Sequence, residues 1–136
     1  TMMFSKESIL KLKGFDNNFF MYCEDLELCI RANKNNIKLY YEASSIVYHK
    51  VQKSVQKKSS LSVVGMKKNN PNLGFLFYNM KTNQYATMKK HLTGINFFLF
   101  FTIYWVEFFY KISSFTVRGR YDMIEIGLKV VKKNIL

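Results

Sequence analysis

Cysteine is scarce in this sequence. Cys23 and Cys29, six residues apart, are the whole complement. No C-x-x-C pair and no Cys/His cluster at zinc spacing accompanies them, which excludes a disulfide-built scaffold and a zinc finger and points to a reducing compartment. Proline occurs once, at Pro71. No charged start followed by an apolar stretch and a small-residue cleavage site is present, so no secretory signal is read. The chain opens at Thr1 in what reads as the middle of an element, and upstream sequence is expected. No internal repeat is visible.

Acid is missing from one whole region: residues 50–91 hold nine Lys and no Asp or Glu. Residues 1–49 balance six basic against six acidic side chains, and residues 92–136 hold six against three, so the middle supplies most of the net charge of +12. Such a field attracts nucleic acid, anionic lipid or a phosphorylated ligand without choosing between them. What is abundant is apolar surface. At 136 residues, 49% hydrophobic and 17% aromatic, the chain suits one modest domain and is no disordered polar segment.

Ser5 followed by Ile9, Leu10 and Leu12 predicts a short helix that Lys13-Gly14 ends, because glycine tolerates the left-handed conformation in which helices often finish. Phe15-Asp16-Asn17-Asn18 reads as a turn. Beyond the aromatic run Phe19-Phe20-Met21-Tyr22, the segment Glu24 to Lys34 places Leu26, Cys29 and Ile30 at helical spacing, with two acids in its first turn and Arg31 and Lys34 near its end. Asn35-Asn36 closes it. Ile37 to Tyr41 and Ser45 to Tyr48 have the β-branched and aromatic content of two short strands. Lys50 to Asn72, rich in Lys, Ser, Gln and Asn, reads as a mobile basic loop.

Ile95 to Ile112 carries 14 apolar residues among its 18, interrupted by Asn96, Thr102, Glu107 and Lys111. As a helix it spans roughly 27 Å, near the thickness of a bilayer core. Glu107 would be expensive at the midplane, so a helix lying in the membrane plane or bundled beside it is favoured over a single span. Arg118-Gly119-Arg120 breaks the chain, and Tyr121, Ile124, Leu128, Val131 and Ile135 mark a final amphipathic helix with Lys129, Lys132 and Lys133 beside it.

The most specific string runs Gly14-Phe15-Asp16-Asn17-Asn18-Phe19-Phe20-Met21-Tyr22-Cys23-Glu24-Asp25-Leu26-Glu27-Leu28-Cys29-Ile30-Arg31-Ala32. It resembles the G-F-D-x-x-F-F-x-Y-x-E-D-x-D-L-C-x-R segment of family 2 glycosyltransferases, especially the rhamnosyltransferase-like members that build bacterial surface polysaccharides. Glu27 stands where the family usually has Asp. The resemblance implies an α/β fold, with residues 1–92 the acceptor-side C-terminal part of an inverting GT-A (Rossmann-like) domain and residues 93–136 an amphipathic, membrane-associating helical tail. It also implies a nucleotide-sugar donor, a glycan or lipid-linked acceptor, and a peripheral place on the cytoplasmic face of the cell membrane.

Inverting transfer needs one carboxylate to take the proton from an acceptor hydroxyl as that oxygen attacks the anomeric carbon. A helix N-terminus favours an anion, and aromatic side chains can stack on a sugar ring. By resemblance Asp25 is the base, and Glu24, Tyr22, Phe20 and Asp16 are the acceptor-binding candidates. Glu24 and Asp25 also suit ordinary helix-opening acids, and Arg31 suits a structural partner for an acid. His49, closing Ile46-Val47-Tyr48-His49, stands where some family members hold a divalent metal, Mg or Mn, that neutralises the departing nucleotide diphosphate. Tyr78-Asn79-Met80-Lys81 lies where members carry a Tyr and an Arg-Asn pair before a helix.

Family members carry an Asp-x-Asp metal motif in an upstream nucleotide-binding half. None occurs here, so the 136-residue piece is expected to be inactive alone. Two other classes compete: a basic module for nucleic acid, and a membrane-binding protein without catalysis. Against the first, the aromatics sit in apolar runs instead of alternating with Lys as a stacking platform would.

Overall fold

Ser5 starts the first helix as a side-chain cap, its hydroxyl accepting from the Ser8 amide at 3.1 Å. Such a cap satisfies one of the amides that a helix start leaves free. The computed structural model describes residues 2–48 and 72–136. Among them are five helices: α1 (Lys6–Lys11), α2 (Glu24–Lys34), α3 (Leu73–His91), α4 (Gly94–Val117) and α5 (Asp122–Ile135). Lys13 and Gly14, both at positive φ, turn the chain away from α1. Asn36, also at positive φ, follows the end of α2.

No strand forms among the described residues, which overturns the α/β, GT-A-like expectation. Ile37 to Tyr41 and Ser45 to Tyr48 are irregular chain, with Tyr40, Tyr41 and Tyr48 largely exposed. β-branched and aromatic content makes a segment fit a pleated surface, but a strand exists only when a neighbour completes its ladder, and none is offered among the described residues. The basic loop read over Lys50 to Asn72 lies outside the described residues except at Asn72.

The main core joins α3, α4 and α5. Leu73, Phe77, Lys81 and Tyr85 recur every fourth position along α3 and all are buried. Tyr104, Trp105 and Phe108 meet them from α4, and Met123 and Val130 from α5. Phe77 stacks on Phe108 with ring centres 6.0 Å apart and meets Phe115 edge-on at 5.7 Å. Gly127 lets α5 approach α4 closely, since a Cβ there would lie 3.0 Å from the Ile112 Cδ1. A smaller cluster, Leu12, Leu28 and Ala32, joins α1 to α2. The buried apolar residues of α2 are thus Leu28 and Ala32, while Leu26 is exposed.

Lys81 is the unexpected member of the core line. Its side chain is 1% exposed, and its ammonium meets Glu107 at 2.7 Å and stands 5.0 Å over the Tyr104 ring. Glu107 also pairs with Lys111 at 2.5 Å. The charges of α4 therefore turn toward its partners. Its opposite side presents Ile95, Phe98, Leu99, Ile103, Val106 and Phe109, each more than half exposed. This helix is long and apolar enough to cross a membrane, and 17% of its most apolar stretch is buried. On α5 the line Tyr121, Ile124, Leu128 and Ile135 is likewise exposed, with Val131 half-buried, and Met123, Gly127, Val130 and Asn134 face inward instead.

Candidate active site

Between α1 and α2 the chain makes a tight, polar turn. Asp16 organises it: Asn18 donates from its amide at 3.0 Å and from its side chain at 2.8 Å to Asp16 Oδ1, and the Phe19 amide donates to the Asp16 carbonyl at 3.0 Å. The turn ends on Tyr22 and Cys23, two consecutive side-chain-bearing residues in the left-handed region, at φ 68° and 66°. That backbone costs about 1 kcal/mol per residue and persists only where something holds it. Asn83 of α3 is the holder, its amide donating to the carbonyls of Met21 at 2.7 Å and Tyr22 at 3.1 Å. The first turn of α2 is thereby set at a fixed place on α3.

Three acids start α2, and their surroundings differ. Asp25 is exposed and makes no ion pair among the described residues, its Oδ1 accepting only from the Leu26 amide at 2.7 Å. Glu24 is half-buried, and its enclosed Oε2 has no hydrogen-bond partner among the described residues. Glu27 is fully buried. Arg31 grips Glu27 with Nη2 at 2.8 Å and Nε at 3.1 Å, Lys90 donates at 2.7 Å, and His91 Nε2 lies 3.2 Å away. Burial works to raise the Glu27 pKa, but the hydrogen bonds from Arg31, Lys90 and His91 together outweigh it and hold it at about 2.

Arg31 also donates to the carbonyls of Leu12 and, at 2.8 Å, Gly14, so it locks the end of α1 onto α2 as a structural partner. Cys23, desolvated and close to Asp25 and Glu24, has its thiol pushed up, away from the thiolate.

Lys90 bridges the turn to α2, meeting Asp16 at 2.8 Å as well as Glu27. Its hydrogen bond, followed by that of the Asn18 amide, holds Asp16 at about 2. Beside this bridge opens a cleft of about 520 Å³ between the turn, α3 and the end of α5. Phe19, Tyr78 and Tyr85 form its aromatic side, Asn79, Thr82, Asn83 and Asn134 its neutral polar surface, and Lys89, Lys90 and Lys133 its basic side. Asp16 is the one predicted site residue that lines it; Phe20, Tyr22, Glu24 and Asp25 do not. Phe20 is 79% exposed and Tyr22 37%. His49 lies outside the described residues. Among those residues no three His, Cys, Asp or Glu side chains gather as metal ligands.

Asn83, Lys90 and His91 were not singled out as site residues by their sequence context. The signal that could have found them is the run of amide and basic residues on an otherwise apolar helix, which is costly to bury unless partnered.

A stretch of 40 residues, 29% of this chain, is 38% identical to the rhamnosyltransferase WbbL of Escherichia coli (strain K12), and it spans 15% of that protein's length. No family model matches the chain. No solved structure matches it significantly. The likeness thus extends to a relation with a glycosyltransferase over a short segment.

Proposed function

We propose that this chain is the acceptor-side, membrane-contacting part of an enzyme that moves a sugar from a nucleotide-sugar donor to a glycan or lipid-linked acceptor with inversion, and that Asp25 is its general base. The free state of Asp25 carries the proposal. Of the three acids at the start of α2, Glu27 is consumed by Arg31, Lys90 and His91. Asp25 stands exposed with no ion pair among the described residues. The short similarity to a rhamnosyltransferase supports the sugar chemistry.

In this mechanism Asp25 accepts the proton of an acceptor hydroxyl while that oxygen forms its bond to the anomeric carbon. The bond from that carbon to the nucleotide diphosphate breaks, and its electron pair leaves with the diphosphate. Glu24, Tyr22, Phe20 and Asp16 are the acceptor contacts of this reading, the exposed rings offering a sugar its apolar face. The divalent metal belongs to the donor side, with His49 the residue this chain would contribute. In the intact parent enzyme, Asp25→Asn should lower transfer by roughly 10²- to 10⁴-fold. A near-normal rate for that variant would remove Asp25 from the mechanism.

The outer side of α4 supplies the membrane contact. A soluble helix keeps its charges outward, whereas here Glu107 and Lys111 turn toward the protein and Phe98, Ile103, Val106 and Phe109 face out. An exposed apolar surface of that kind marks an interaction site, and lipid on the cytoplasmic face is the partner we assign. Phe98→Ser/Val106→Ser/Phe109→Ser should abolish flotation with anionic vesicles while leaving the circular dichroism unchanged. Undiminished flotation would reject the assignment.

A further inference from the structure

The cleft beside Asp16 has a chemistry that the proton-transfer role of Asp25 does not use. Three lysines and one carboxylate line it. Lys90 is already neutralised, held by Asp16 at 2.8 Å and Glu27 at 2.7 Å. Lys89 and Lys133, exposed side chains from α3 and α5, make no ion pair among the described residues. Two uncompensated ammonium groups from different helices therefore border one cavity.

Its inner surface is built and not incidental. Thr82, Asn83 and Asn134 are polar yet at least nine-tenths buried, and each is fixed by a hydrogen bond. Asn134 donates to the Tyr104 hydroxyl at 2.9 Å, which donates in turn to the Lys81 carbonyl at 2.9 Å. This chain ties the C-terminal end of α5 to the middle of α3 and keeps the amide at the cleft wall.

We propose that this cleft is an anion site for a phosphate or pyrophosphate ester, with Lys89 and Lys133 as its charge-bearing contacts and the side-chain amide of Asn79, which gives one N–H to the Phe75 carbonyl and keeps the other, beside them. Two ammonium groups match a ligand of two negative charges better than a single carboxylate, and lysine binds phosphate as a point charge. Lys90, clamped by Asp16 and Glu27, is a positioning residue: it holds the turn that closes one side. The aromatic wall of Phe19 and Tyr78 suits the organic part of the ester. The proposal goes beyond the role of Asp25 and survives its loss, because neither Asp25 nor Glu24 lines the cleft and neither Lys89 nor Lys133 takes part in the proton transfer.

The test uses the full chain in nonionic detergent micelles, titrated with inorganic pyrophosphate by calorimetry. Lys89→Gln/Lys133→Gln should weaken binding roughly tenfold or more. Lys132→Gln removes the same charge from the same helix outside the cleft and should weaken it about twofold or less. Equal losses for Lys132→Gln and Lys133→Gln would mean that pyrophosphate senses the general charge of the protein, and the site would be refuted; so would absence of binding at millimolar pyrophosphate.

Flotation with phosphatidylcholine vesicles, with and without phosphatidic acid, distinguishes the source. Dependence on phosphatidic acid that the double variant loses assigns a lipid headgroup. Pyrophosphate binding without that dependence assigns a soluble ester. Either result sustains the anion site.

Discussion

Among the described residues, eight buried side chains of α3, α4 and α5 pack around Phe108, five of them aromatic, whereas around Leu28 three buried apolar residues join α1 to α2. The second region makes up the difference with charge. Glu27 gathers Arg31, Lys90 and His91, and Asn83 grips the carbonyls of Met21 and Tyr22. The scaffold is thus mainly apolar, with few directional bonds, while the candidate acids are placed by directional bonds that reach from α2 to α3. Directional bonds suit a site, since they fix orientation as well as distance.

The comparison is sharpened most by damaging each core in its own way. Phe108→Ala should destabilise the chain by about 4 kcal/mol, the usual cost of emptying a large aromatic from a packed core. Chemical denaturation measures it, and a loss under about 1 kcal/mol would show that the ring cluster is not the scaffold.

Glu27→Gln should follow at about 3 kcal/mol, because it leaves Arg31 and Lys90 without the carboxylate they surround. Asp25→Asn, two residues away and free of ion pairs among the described residues, should move stability by about 0.5 kcal/mol or less. That contrast within one helix separates the holding acid from the proposed working acid. The pH dependence follows with a defined sign. Glu27 and Asp16 are both held at about 2 in the folded chain. A depressed carboxylate contributes stability that is fully present above its ordinary value and lost as pH falls toward the folded one. The melting temperature should therefore hold above about pH 5 and drop between there and about pH 2, and Glu27→Gln should flatten the drop. An unchanged slope in that variant would break the link between Glu27 and the acid-labile region.

Much of the local structure was legible in the sequence. The Ser5 cap, the Gly14 exit, the span Glu24–Lys34 and the Arg31 partnership all rest on neighbours within a turn or two. What escaped was set by distant contacts. Helix α3 hides its core line because Lys81 occupies one of its four positions, and partners more than 20 residues on, Tyr104 and Glu107, explain that burial. The two expected strands had the right residues and no neighbour to pair with among the described residues. On α5 two apolar lines compete, and the close approach at Gly127 selects the one through Met123 and Val130. Around the candidate site, the place of Glu24 and Asp25 in the first turn of α2 could be read from the string, but the grip of Asn83 on residues 21 and 22 spans some 60 positions.

The smallest effect tests whether the strained entry to α2 serves the acids it precedes. Cys23 sits at φ 66° beside Tyr22 at φ 68°, a conformation that glycine adopts without penalty. Cys23→Gly should therefore stabilise the chain, or at least not weaken it, with an expected gain of about 1 kcal/mol in denaturant melts. The same change frees the backbone that Asn83 holds, and a looser Asp25 should reduce transfer by the parent enzyme even as stability rises. Gain of stability with full activity would mean that the left-handed pair is only a route into the helix. Loss of stability would mean that the Cys23 side chain, half-buried against its neighbours, contributes more by packing than its backbone costs by strain.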